Sequence, residues 1–177
     1  MNAIRALVST ALASVLLLAV VVAQQPAPGV DLPIAGLAGI TFRVSDLEKA
    51  RRYYTGVLGF AEAFDLRDAA GKVTSVYFKV NDDQYVEVTP DLAPGGIDRQ
   101  ARVIIQSSDL QRLHQIYAGR GLSPGPIAQG PDGNPVFRIA GPDNARIDFI
   151  QYVPGSRQSM ARGRFLSDER VSTHLWH

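Results

Sequence analysis

Two carboxylates and four basic side chains are the groups in this sequence best placed to do chemistry together: Glu87, Asp148, Arg43, Lys79, Arg102 and Arg138. Each falls in a stretch where polar and apolar residues alternate, the period of a strand with one face toward a core. A buried carboxylate can act as a general base without a metal. Guanidinium and ammonium groups in a cavity suit a small ligand carrying a carboxylate or phosphate. Composition removes other chemistries. The chain has no cysteine, which excludes disulfides, thiolate metal sites and a cysteine nucleophile. Its three histidines, His114, His174 and His177, lie outside the alternating stretches that read as barrel strands, and no Gly-x-Ser-x-Gly occurs, so a Ser-His-Asp triad has no support. Gly95-Gly96 alone is a linker rather than a phosphate loop. A formal charge of +1 on 177 residues argues against a nucleic-acid partner.

The elements that must position these groups are organised around residues 39–60. Ile40, Phe42 and Val44 alternate with polar or small neighbours, Ser45 stands three residues before Glu48 as in a capping box, and Leu47, Ala50, Tyr54 and Val57 follow at helical spacing up to Gly59. The same pattern returns at an offset of 63 residues, where Asp109-Leu110, Tyr117 and Gly119 match Asp46-Leu47, Tyr54 and Gly56, with Ser108 as the expected cap. Helices are expected near 46–57 and 109–120. Strands are expected at 60–66, 73–80 and 84–89 in the first unit and at 101–107, 126–129, 135–140 and 146–153 in the second. Each unit is β-α-β-β-β. Neither buries both faces of its small sheet alone, so the two should pair, within one chain or between two.

Alternation also predicts a cavity. If the apolar faces meet the helices, the opposite faces carry Thr41, Arg43, Ser75, Tyr77, Lys79, Tyr85, Glu87, Arg102, Gln106, Arg138 and Asp148 into a cup. Four basic against two acidic side chains would make that cup net positive.

The run Phe42-Arg43-Val44-Ser45-Asp46-Leu47-Glu48-Lys49-Ala50, with Tyr53-Tyr54, Leu58-Gly59-Phe60 and the closing Gly141-Pro142-Asp143-Asn144 and Ile147-Asp148-Phe149, resembles the vicinal oxygen chelate superfamily of glyoxalases, bleomycin-resistance proteins and extradiol dioxygenases. The resemblance spans about residues 36–153, as modules 36–90 and 100–153. It implies an α+β fold in which two βαβββ modules form an eight-stranded, open, cup-shaped mixed barrel with the helices outside. It also implies a divalent metal in the cup, held from the first and fourth strands of each module. Those positions fall here on Gly39, Glu87, Arg102 and Asp148. Glycine has no side chain and arginine cannot ligate, which leaves only Glu87 and Asp148 able to bind; no cofactor is expected, and a divalent metal is the disfavoured alternative. Arg102 would either neutralise Glu87 and Asp148 where the metal would sit or remain free for a ligand.

The functional expectation is a domain binding a small, anionic molecule in a cup without the usual metal ligands. Its alternatives are a lyase, isomerase or dioxygenase with a divergent site, and a non-catalytic module of a larger tandem protein. Residues 1–23, with Arg5 before an apolar run ending Val21-Val22-Ala23, read as an export signal or an uncleaved membrane anchor, which places the domain outside the cytoplasm. Residues 24–35 read as a Pro-rich tether. Residues 154–177 form a basic extension whose end, Ser172-Thr173-His174-Leu175-Trp176-His177, looks like the opening of a further module. The remaining partner expectations are a homodimer or that following module.

Overall fold

The computed structural model describes residues 31–165. The element order is β1 (Ile34–Arg43), α1 (Leu47–Arg51), β2 (Ala61–Arg67), β3 (Val73–Lys79), β4 (Tyr85–Thr89), then β5 (Gln100–Ser107), α2 (Leu110–Gly119), β6 (Ala128–Gln129), β7 (Pro135–Ala140) and β8 (Arg146–Ile150). A short helix, α3 (Arg157–Ala161), follows. Each half is therefore β-α-β-β-β. All eight strands form one mixed sheet in the order β2-β3-β4-β1-β5-β8-β7-β6, curled into a half-barrel. The halves join within one chain through antiparallel β1 and β5, with Gly39 opposite Ile104 and Thr41 opposite Arg102. β1 runs parallel to β4, and β5 parallel to β8. β1 begins at Ile34, inside the segment expected as tether, because its first residues pair with Gln106 and Ser107.

The sheet's convex face meets the helices, as alternation requires. Val76, Phe78, Val80, Val86 and Val88 pack with Ala50 and Phe60, and Tyr54 stacks on Phe78 with centroids 4.8 Å apart. In the second half Leu110 and Leu113 of α2 pack on Phe137, Ile139 and Phe149. His114 belongs to this packing: its ring stands edge-on to Phe137 and Nε2 contacts the Gly125 carbonyl at 3.0 Å.

Two local expectations are corrected. The helix caps are Asp46 and Asp109, not Ser45 and Ser108; each carboxylate accepts the N–H three residues on, from Lys49 at 2.9 Å and Arg112 at 3.0 Å. The helix starts one residue later than the serine spacing suggests because aspartate at that position satisfies the same orphan donor. After Arg51 the helix widens into a π-helical stretch over Arg52–Val57, which rotates Val57 out of the core to 67% exposure. Gly59 and Gly121 then turn the chain at φ 72° and 80°, conformations that favour glycine.

Residues 154–165 fold back onto the cup. Ser156 caps α3 through the Ser159 N–H at 3.2 Å. Gln158 Nε2 donates to Asp132 at 2.8 Å and its Oε1 accepts from Asn134 at 2.7 Å, all three side chains buried. The Lys79 ammonium, fully buried, donates to the carbonyls of Ala161 and Arg164 and pairs with Asp82 at 2.6 Å. The Gly163 N–H reaches Asp82 at 2.7 Å, and Arg162 pairs with Asp83. This strap ties the β3–β4 turn to the turn before β7. No described helix is long and apolar enough to cross a membrane. The expected export signal and the expected opening of a further module lie outside the described residues.

Candidate functional site

The concave face of the sheet holds a cavity of about 250 Å³. Its polar floor is built by five adjacent strands. Glu87 on β4 is 3% exposed; Thr41 on β1 is wholly buried and donates from Oγ1 to Glu87 Oε2 at 2.5 Å. Arg102 on β5 donates from a terminal nitrogen to the same oxygen at 2.5 Å, and its Nε stands 3.4 Å from Asp148 Oδ2 on β8. Arg138 on β7 forks onto Asp148 with bonds of 2.6 and 3.2 Å, and Arg146 lies 3.6 Å away. The Tyr77 hydroxyl lies against Glu87.

The walls are aromatic and aliphatic. Tyr77 and Tyr85 belong to one cluster, with Phe64 stacked on Tyr77 at 4.5 Å; Ala38, Ile104 and Ile150 form another, and Tyr152 packs against both. Asp132 and Gln158 also line the cavity, although their polar atoms are committed to the buried cluster with Asn134.

The electrostatics follow from burial. Burial and then the Glu87 charge push the Tyr77 phenol well up; burial and then Asp82 and Asp83 raise Tyr85; burial chiefly raises Tyr152. All three hydroxyls therefore remain protonated at neutral pH. Burial acts to lower Arg102, but Glu87, Tyr77 and Asp148 outweigh it and the guanidinium is held above its ordinary value. Among the described residues, two buried side-chain polar atoms have no hydrogen-bond partner, the Tyr85 hydroxyl and Arg102 Nε.

Of the residues expected in the cup, Tyr77, Tyr85, Glu87, Arg102, Arg138 and Asp148 line the cavity together, beside Gly39; Thr41 supports them from beneath. Four others do not line it. Arg43 lies at the end of β1, bonded to Asp98 at 2.8 Å and to the Gln100 carbonyl at 3.1 Å. Lys79 keeps its register opposite Tyr85, but its long stem carries the ammonium to the α3 strap. Ser75 is buried on β3, and Gln106 lies toward the far end of β5, paired with Gly36. The expected positive cup is thereby corrected: the charged residues lining it are the carboxylates Glu87, Asp132 and Asp148 and the guanidiniums Arg102 and Arg138. Tyr152, Asp132 and Gln158 were beyond sequence reasoning, since they come from a strand's end, a turn and the strap.

These residues do not fit the family's divalent metal. Arg102 lies where two ligands would converge and is bonded to one of them. At Gly39 an added Cβ would stand 2.3 Å from the Tyr85 carbonyl oxygen, so the backbone itself has closed on that position. Among the described residues, no three His, Asp or Glu side chains are grouped to hold a metal ion.

This curled pair of modules around a central cup is the architecture of the vicinal oxygen chelate proteins. The family model for the Glyoxalase/Bleomycin resistance protein/Dioxygenase superfamily matches residues 36–149, and the chain belongs to that superfamily. Solved structures similar in fold include methylmalonyl-CoA epimerase from Mycobacterium tuberculosis, at 14% identity and a TM-score of 0.58, covering 71% of this chain and 93% of that one. A selenomethionine methylmalonyl-CoA epimerase matches at 14% identity and 0.60, covering 71% and 99%. A Streptomyces coelicolor epimerase variant in complex with 2-nitronate-propionyl-CoA matches at 11% and 0.57, covering 70% and 98%. Identities this low establish shared fold. No curated protein matches the sequence.

Proposed function

We propose that this protein is a metal-independent small-molecule-binding member of its superfamily, with the Arg102 guanidinium in the place of the metal. The observation that carries this reading is the Arg102–Glu87 contact of 2.5 Å beside a glycine that has no room for a ligating side chain. A guanidinium stays protonated at any relevant pH and offers five donors, so it can balance two facing carboxylates permanently. The divergent-enzyme alternative asks for a free general base. Glu87 is engaged by Thr41 and Arg102, and Asp148 by the Arg138 fork, so neither carboxylate is free for that role. The apolar run and small-residue boundary of residues 1–23 support placing this binding activity outside the cytoplasm.

Elemental analysis of the purified protein, with mass spectrometry of co-purified small molecules, tests the reading. Substoichiometric metal is expected, and titration with zinc, manganese or ferrous iron should show no tight site. Tight binding abolished by Glu87→Gln would overturn it and favour a metalloenzyme.

A further inference from the structure

We propose that the cup takes an uncharged molecule of about one substituted ring, anchored by accepting a hydrogen bond from the Tyr85 hydroxyl; this rests on the binding function proposed above. The first observation is the unpartnered hydroxyl itself. Tyr85 is 3% exposed, lines the cavity, and has no hydrogen-bond partner. A buried hydroxyl without a partner is costly, and native structures normally satisfy it by protein, water or ligand. Arg102 Nε, at the same cavity, makes no hydrogen bond but is held by charge 3.4 Å from Asp148 Oδ2. The Tyr85 hydroxyl can donate its proton to a ligand acceptor such as a carbonyl oxygen.

The second observation is charge. Every carboxylate lining the cavity is already engaged: Glu87 by Thr41 and Arg102, Asp148 by Arg138, and Asp132 by Asn134 and Gln158. Three carboxylates against two guanidiniums leave no surplus positive charge to hold an anion. A cation would have to displace guanidiniums from their bonds. An uncharged ligand disturbs neither network.

The third is shape. An apolar protein cavity of about 150 Å³ holds one benzene. The present cavity of about 250 Å³ has room for a ring and a polar substituent, and Tyr77, Tyr85, Ile104, Ile150 and Val136 are among the residues that line it. Aromatic walls favour a planar body through offset or edge contacts.

Calorimetric titration of the full chain with benzamide, benzoate and benzylamine tests the inference. Benzamide should bind at least tenfold more tightly than either charged probe. Tyr85→Phe should weaken benzamide about two- to tenfold, the worth of one neutral hydrogen bond. Since the hydroxyl has no partner within the protein, the ligand-free variant should melt no lower than the wild type. Benzoate binding more tightly than benzamide, or Tyr85→Phe binding benzamide unchanged, overturns the inference and leaves the binding function standing. If no probe binds and no small molecule co-purifies, the binding function falls and this inference with it.

Discussion

A Cβ placed on Gly39 would stand 2.3 Å from the carbonyl oxygen of Tyr85, its partner on the neighbouring parallel strand. Loss of the family's first ligand position is thus structural as well as chemical. Gly39→His should not recreate a metal site. The clash is with backbone, so β1 and β4 must shift, and overpacking of this kind costs about 1–3 kcal/mol. Denaturant melts of Gly39→His with and without zinc check this. A zinc-dependent rise in stability would show that the strands can part.

Arg102→Met should destabilise the fold by about 3–5 kcal/mol, because it leaves Glu87, almost wholly buried, without its charge partner. Adding Glu87→Gln should recover a large part of that loss, since the unpaired charge rather than lost packing is the main cost. Chemical denaturation of both variants measures the coupling. Equal stabilities of the single and double variants would refute the account.

Lys79→Met should release the strap. The ammonium's bonds to Ala161 and Arg164 and its ion pair with Asp82 are charge-assisted contacts from a fully buried side chain, and losing them should cost about 2–3 kcal/mol. Hydrogen exchange should accelerate in residues 157–165 ahead of the sheet. Unchanged exchange there would mean the Asp132–Asn134–Gln158 cluster alone holds the strap.

The strap should also respond to acid. The Lys79 hydrogen bond, with the Gly163 N–H and the Lys79 and Arg162 charges, outweighs burial and holds the Asp82 carboxyl below its ordinary value. A depressed carboxyl contributes stability that is present above the unfolded value of about 3.9 and is lost as pH falls through the lower folded value. Stability measured from pH 6 to 2 should therefore fall below about pH 4, and Asp82→Asn should flatten part of that fall. An identical acid limb in Asp82→Asn would remove this group from the account.

Much of the fold was legible in the sequence because its signals are local. Alternation over Val73–Lys79 assigned Val76 and Phe78 to the helix side and Tyr77 to the cup, and a period-2 pattern leaves no other choice once one face is buried. Lys79 shares Tyr77's face yet leaves the cup, because a four-carbon stem lets its head travel to whatever carbonyls come near. Arg43 failed for a related reason: at a strand's end its guanidinium meets Asp98 of the linker before it can turn inward.

The sequence by itself determined the strand faces, the α+β element order and the impossibility of ligation from Gly39 and Arg102, since residue type and period are enough for these. Tertiary structure decided what local signals do not encode. It set the modules side by side through β1 and β5 of one chain, brought Arg102 onto Glu87 from a different strand, and folded residues 154–165 across two distant turns. It also left the Tyr85 hydroxyl buried without a hydrogen-bond partner, because which polar atoms come within reach depends on side chains that arrive from other elements.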